Sequence, residues 1–232
     1  MDISKHKSNL INILMDLYKD PKIAPFLGFK GGTASMLFYK LPRFSVDLDF
    51  DYLGKPEDIK IVTDRITKKL NLKYQIKSQS TKFNTLFWLI SYGVGEHTIK
   101  IEISTRDASF NHYKKAALYG VNINLLEISD IIPHKMVAFT ERPSTANRDI
   151  FDIHYFLSTE FATKINYEII KQRTSKDPKD FYNLLLKKLN KINPKNILTG
   201  LGEVLSESQK IWAKSELIPE VKELIKKQLD LI

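Results

Sequence analysis

Residues 30–51 read Lys30-Gly31-Gly32-Thr33-Ala34-Ser35-Met36-Leu37-Phe38-Tyr39-Lys40-Leu41-Pro42-Arg43-Phe44-Ser45-Val46-Asp47-Leu48-Asp49-Phe50-Asp51. A diglycine turn opens the stretch. A segment of helix length follows, Thr33 to Leu41, closed by Pro42. The remainder alternates strictly from Val46 to Asp51. Val46, Leu48 and Phe50 are then expected on a core face, with the three acids on the other, because a strand turns successive side chains to opposite faces.

The chemistry of this order is specific. Two glycines allow a tight turn and a close backbone approach to a ligand. They run into a helix whose first N–H groups lack internal partners and whose positive dipole end favours phosphate. Thr33 would cap that helix or donate its hydroxyl to a phosphate oxygen, and Lys30 adds positive charge. A plain strand-to-helix turn would use the same residues. Asp47 and Asp49 carry more weight: two carboxylates on one strand face repel unless a cation lies between them. Carboxylate oxygens suit Mg²⁺, or Mn²⁺ in its place, and Mg²⁺ also binds substrate phosphates. Asp51 reads as a solvated residue at the strand's exit.

A third acid comes from Thr98-Ile99-Lys100-Ile101-Glu102-Ile103-Ser104, where the isoleucines face one side and Lys100, Glu102 and Ser104 the other. If this strand lies beside 46–51, Glu102 joins Asp47 and Asp49, and the triad could hold two cations about 3.5–4 Å apart. A cross-strand salt bridge on a wet sheet face is the plainer alternative.

Outside this region the pattern is α+β, then all-helical. Helices are expected over 5–19 and 57–70, and strands over about 72–78, 84–92 and 97–104, with Val121 to Leu125 as an edge strand. Phe83, Phe87, Trp88 and Tyr92 are expected to pack the sheet. After Asp130 helical spacing takes over, with candidates at 131–141, 146–158, 165–173 and 178–191, punctuated by Pro143, Pro178, Pro194 and Pro219. Lys135 and Arg142, seven apart, share a helix face and could neutralise charge on a leaving pyrophosphate. Arg148 and Asp152 are spaced as an i,i+4 ion pair, and Asp149 could orient Lys135. His134 reads as a surface or hydrogen-bonded histidine.

The chain has 232 residues, 43% hydrophobic and 27% charged, which suits a globular protein. It has no cysteine, which excludes disulfides, thiolate catalysis and Cys-ligated zinc. It contains no HExxH pattern, no G-x-S-x-G and no P-loop sequence, so zincins, serine hydrolases and P-loop NTPases lose support. No apolar run approaches the roughly 20 residues that span a bilayer, and residues 1–6 lack the apolar segment of a signal peptide. No membrane partner is expected, and the cytoplasm is the expected location. Net charge is +9. Residues 1–125 contribute +7 of it, from 19 Lys/Arg against 12 Asp/Glu. Such an excess attracts a polyanion such as RNA, with an attraction that weakens as salt rises; the same composition also serves solubility.

Taken together these blocks resemble the AbiEii-type nucleotidyltransferase toxins of type IV toxin–antitoxin systems, a branch of the DNA-polymerase-β-like superfamily. The resemblance rests on Lys30-Gly31-Gly32-Thr33-Ala34, Arg43-Phe44-Ser45-Val46-Asp47-Leu48-Asp49-Phe50, Lys100-Ile101-Glu102-Ile103, His134-Lys135 and Arg148-Asp149-x-x-Asp152, in that order, over about residues 28–157. It implies a nucleotidyltransferase-like mixed sheet with flanking helices followed by a C-terminal helical bundle. The corresponding domains would be a core over 1–126 and a helical domain over 127–232 that brings Lys and Asp to the active-site cleft. It implies Mg²⁺-dependent use of an NTP and a cognate antitoxin. The family's roles fall on Gly32, Thr33, Asp47, Asp49, Lys135 and either Asp149 or Asp152. Arg43 and Ser45, in the same block, are expected at the nucleotide with Lys30 and Gly31. Some relatives extend the acceptor end of tRNA. The expected function is thus transfer of NMP from an NTP to RNA, with tRNA the acceptor. The metals would sit on Asp47, Asp49 and Glu102, and Glu102 could alternatively serve as general base. A small-molecule nucleotidyltransferase, a non-catalytic nucleotide or RNA binder and a two-metal nuclease are the competing readings.

Overall fold

The structure, a computed structural model, describes residues 2–142 and 147–232. Met1, Pro143 as a helix end and Ala146 as the start of the next helix lie outside the described residues. The chain divides into two compact units: Met1–Lys40 with Phe44–Glu127, and Leu41–Arg43 with Ile128–Ile232.

The first unit runs α1 (Ile3–Tyr18), β1 (Leu27–Lys30), α2 (Gly31–Phe38), β2 (Leu48–Tyr52), α3 (Ile59–Asn71), β3 (Gln75–Lys82), β4 (Thr85–Ser91), β5 (Thr98–Ser104), β6 (Tyr113–Leu118) and β7 (Val121–Leu126). The strands form one mixed sheet in the order β3-β4-β5-β2-β1-β7-β6. β2 pairs with β5 and β1 with β7 in parallel; the other pairings are antiparallel. Alternation sorts the faces. Phe29, Phe50, Ile103 and Leu86 are successive register partners across four strands, and all four are buried. With one face given to the core, the polar residues of the same strands must occupy the other. α3 packs beneath β4, where the Trp88 indole N–H donates to Thr67 Oγ1 at 2.9 Å.

Several boundaries differ from the sequence expectation. α2 starts at Gly31, two residues early, so both glycines belong to its first turn. Asp47 precedes β2 rather than lying in it. β7 is flanked by β1 and β6 and is not an edge. β1 and β6 carry little strand signal, because Leu27–Lys30 is short and Tyr113–Leu118 contains two lysines. Among the aromatics, Trp88 is core, but Phe83 is 98% exposed at the β3–β4 turn and Phe87 only half-buried.

The second unit contains α4 (Ile128–Glu141), α5 (Asn147–Leu157), α6 (Tyr167–Thr174), α7 (Pro178–Leu189), α8 (Glu207–Ser215) and α9 (Leu217–Leu229). α5 packs on α4 and α9, and α6 and α7 pack on α4. Ile132, Met136, Phe139, Ile150, Phe156 and Ile225 form part of its buried core. Pro133 lies inside α4. It lacks the N–H that would bond the Ser129 carbonyl four residues back, and the Asn166 N–H fills that place at 3.0 Å. Asp177 caps α7, and Ser206 with Gln209 forms a capping box on α8.

Candidate active site

In the first unit the acids lie where neighbouring strands put them side by side. Asp49 on β2 is the register partner of Glu102 on β5 and of Lys30 on β1. Leu48 pairs with Ile101 and Phe50 with Ile103, so Asp49 and Glu102 share the face opposite the core. Both are partly exposed. The Glu102 carboxylate has no hydrogen-bond or ion-pair partner among the described residues. Asp47, one row earlier, has the Lys100 ammonium 3.5 Å from its Oδ2.

The diglycine turn closes on this row. Gly31 has φ +80°, and a Cβ there would fall 2.2 Å from Asp49 Oδ2. Glycine is thus required twice over, by conformation and by the approach of its backbone to the carboxylate. α2 starts here with no side-chain cap, so its first N–H groups are not taken up by a capping side chain. Gly32 is buried in the same turn.

Thr33 is oriented inward. It is fully buried, and its hydroxyl contacts Ser45 Oγ at 3.0 Å and donates to the Asp47 carbonyl. Ser45 is 8% exposed. These two side chains tie α2 to the irregular segment that delivers Asp47. Lys30 points its ammonium at Asp51, 2.5 Å away. Asp51 is not a solvated turn residue: it is 2% exposed and also accepts from Tyr113 OH at 2.5 Å and Asn111 Nδ2 at 3.0 Å. Burial and the neighbouring Asp51 charge raise the Tyr113 pKa, so the phenol remains a donor. Neither Asn111 nor Tyr113 carried any sequence signal.

The second unit holds a separate chain of charges. The Arg43 guanidinium binds Asp152 in a fork, Nε to Oδ1 at 2.5 Å and Nη2 to Oδ2 at 2.7 Å. The Lys135 ammonium lies 2.8 Å from Asp152 Oδ2 and 3.4 Å from Asp149 Oδ1. Arg142 Nη1 is 3.0 Å from Asp149 Oδ2, near enough to pair but not aligned to hydrogen-bond, which leaves that buried oxygen without a donor among the described residues. Burial opposes the charge on Asp152, yet Arg43 and Lys135 outweigh it and its pKa falls below the usual carboxylate value. Lys135 is raised: burial disfavours its charge, and Asp152 and Asp149 more than restore it.

These contacts place the expected residues and revise one spacing. Asp152 is fully buried and holds Arg43 and Lys135. Arg43, expected at the nucleotide, is paired with Asp152, and it belongs to the second unit. Arg148 does not pair with Asp152; its Nε donates to the Gly200 carbonyl at 2.6 Å. His134 is satisfied, with Arg173 Nη1 3.1 Å from its Nδ1.

A divalent cation, the cofactor implied by the resemblance, can be tested against the acids of the first unit. No cluster of three or more His, Asp or Glu stands ready to hold a metal among the described residues. The expected convergence of all three acids is therefore incomplete. The physical reason is visible: like charges separate, and Asp47 is drawn to Lys100. The donors nevertheless fit, since Asp49 and Glu102 are adjacent and oxygen-only, and a lysine already occupies the place of a cation at Asp47.

The chain shares its fold with nucleotidyltransferases. It is similar to a candidate nucleotidyltransferase from H. pylori with TM-score 0.62 and 21% identity, over 98% of this chain and 96% of that one. It is also similar to JHP933 from Helicobacter pylori, with TM-score 0.53 and 20% identity, over 99% and 95%. The family model described as nucleotidyl transferase AbiEii toxin, type IV toxin–antitoxin system, matches residues 13–214, and the chain belongs to that family. No curated protein matches the chain.

Proposed function

We propose that this nucleotidyltransferase is a metal-dependent toxin that transfers NMP from an NTP to the 3′ end of RNA, with tRNA as the acceptor. It would act in the cytoplasm and be restrained by a cognate antitoxin. The observation that carries the reading is the row formed by Gly31, Asp49 and Glu102, a diglycine turn against paired carboxylates. The basic excess of residues 1–125 supports a polyanionic acceptor.

In this reading the first N–H groups of α2 hold the β- and γ-phosphates. Asp47, Asp49 and Glu102 would hold Mg²⁺ or Mn²⁺, which when bound supplies charge neutralisation at the triphosphate. The acceptor hydroxyl attacks the α-phosphorus in line; the new P–O bond forms as the α–β bridge breaks, and pyrophosphate leaves. Glu102 either completes that set of metal ligands or takes the hydroxyl proton. Lys135, held protonated by its two aspartates, is a fixed positive charge and not a base.

The test is incubation of purified protein with total RNA, Mg²⁺ or Mn²⁺ and each labelled NTP. Label in the tRNA size class, lost in Asp47→Ala, is the expected result. Label found only on small hydroxyl acceptors would overturn the RNA assignment, and an active Asp47→Ala would overturn the site.

A further inference from the structure

The row that carries the acids continues beyond them. Next to Glu102, β4 places Phe87, and next to Phe87, β3 places Ser80. Direct register partners share a face, so the Phe87 ring lies on the side of the sheet that carries Asp49 and Glu102. Phe87 is not core: it is half-buried, with the Lys82 ammonium 5.7 Å from its ring centroid. In the adjoining row Leu89 is half-exposed beside Lys100. Apart from Glu102, this face of β3, β4 and β5 carries no acid. It presents an aromatic ring and an aliphatic side chain between two exposed lysines.

The sheet also gives this surface a direction. Gly31 and the start of α2 lie on the β1 side of Asp49, and Glu102 and Phe87 lie on the other. An in-line displacement puts the leaving pyrophosphate and the attacking oxygen on opposite sides of the α-phosphorus. With the pyrophosphate on the α2 side, the acceptor must approach from the β5–β4 side. The Phe87 Cα is two strand spacings from Asp49, about 10 Å, within reach of the base of a nucleotide whose 3′ hydroxyl stands at the acids.

Resting on the reading above, we propose that Phe87 is the stacking platform for the terminal base of the RNA acceptor, with Lys82 supplying positive charge to its phosphate. A π-face accepts any base, so the platform holds the strand end without reading sequence.

The test compares steady-state kinetics of the full-length wild type, Phe87→Leu, Phe87→Tyr and Lys82→Gln, with labelled NTP and RNA as acceptor. Leucine keeps the apolar contact and removes the π-face. Phe87→Leu should raise KM for RNA roughly ten- to hundredfold and leave KM for NTP unchanged, and Phe87→Tyr should restore the wild-type value. Lys82→Gln should lower the slope of log KM against log salt by about one. Equal KM for RNA in wild type and Phe87→Leu, or a rise in KM for NTP instead, overturns the platform while RNA labelling by the wild type leaves the broader function intact. Wild-type transfer to small acceptors and to no RNA overturns both.

Discussion

Arg43 and Asp152 form a two-pronged ion pair with side chains no more than 3% exposed, 109 residues apart in the chain. Arg43 stands three intervening residues before Asp47 in the chain. A buried pair tolerates loss of one partner badly, because the survivor keeps its desolvation cost without its counter-ion. Asp152→Asn keeps the volume and removes the charge. It is expected to lower unfolding free energy by about 3–5 kcal/mol, measured by urea denaturation. Arg43→Lys keeps the charge but not the fork and should cost less. Equal stability of wild type and Asp152→Asn would show that the pair contributes nothing.

The same cluster sets a pH profile. Asp152 has a lowered pKa in the fold. Its contribution is therefore present above the unfolded value, about 3.9, and disappears as pH falls from there through the folded value. Lys135 has a raised pKa. Its contribution is present below about 10.4 and disappears as pH rises through the folded value. Unfolding free energy against pH should thus decline at both extremes. Asp152→Asn should flatten the acid limb directly and the alkaline limb through loss of a counter-ion to Lys135. A mutant curve parallel to the wild type across the whole range would contradict this assignment.

Glu102→Gln separates activity from stability. Glu102 faces Asp49 directly across parallel strands and has no partner among the described residues. Like charges in register destabilise a sheet, and removing one is worth roughly 0.2–1 kcal/mol. The variant should melt slightly higher than the wild type yet lose nucleotidyl transfer by about 10²-fold or more. Addition of Mg²⁺ should raise the wild-type melting temperature by mass action and raise that of the variant less. A variant that melts lower, or that retains transfer, would remove Glu102 from the proposed site.

What the sequence made legible was local. The diglycine turn and alternating acids located α2, β2 and the shared face, because both signals depend on backbone conformation and strand period. The Asp49–Glu102 pairing needed one added condition, that two strands 50 residues apart be neighbours, and no local pattern supplies that. Spacing misjudged Arg148 and Asp152, because an i,i+4 match records proximity on a helix and not competition. Arg43 and Lys135 reach Asp152 from other elements, and Arg148 turns to a carbonyl. Asp51 misled for the opposite reason: its position on an acid-bearing face suggested solvent, but Lys30, Asn111 and Tyr113 enclose it. Phe87 looked like sheet packing because β propensity does not say which face of a sheet is covered.

Gly31→Ala should be disproportionately harmful. The left-handed conformation costs an alanine roughly 1–2 kcal/mol, and the added methyl would press on the Asp49 carboxylate. Displacement of that carboxylate by about 1 Å is enough to reduce transfer about 10²-fold. A melting curve within the range of a single strained residue, combined with a near-complete loss of label transfer, is the expected pair of results. Full activity in this variant would show that Asp49 does not depend on the turn.

Thr33 provides the last test, because its hydroxyl is expected on phosphate and the structure shows it on protein partners. It joins Ser45 Oγ and the Asp47 carbonyl from a fully buried position. Thr33→Val is nearly isosteric and removes the donor, leaving the part-buried Asp47 carbonyl without it, at a cost of about 1 kcal/mol. If the hydroxyl positions Asp47, the variant loses kcat together with stability while KM for NTP holds, and Thr33→Ser restores both. If the hydroxyl instead serves the triphosphate, KM for NTP rises in Thr33→Val and stability is unaffected. Kinetics and denaturation of the two variants side by side decide between these roles, since only positioning links the turnover of the enzyme to the integrity of the segment before β2.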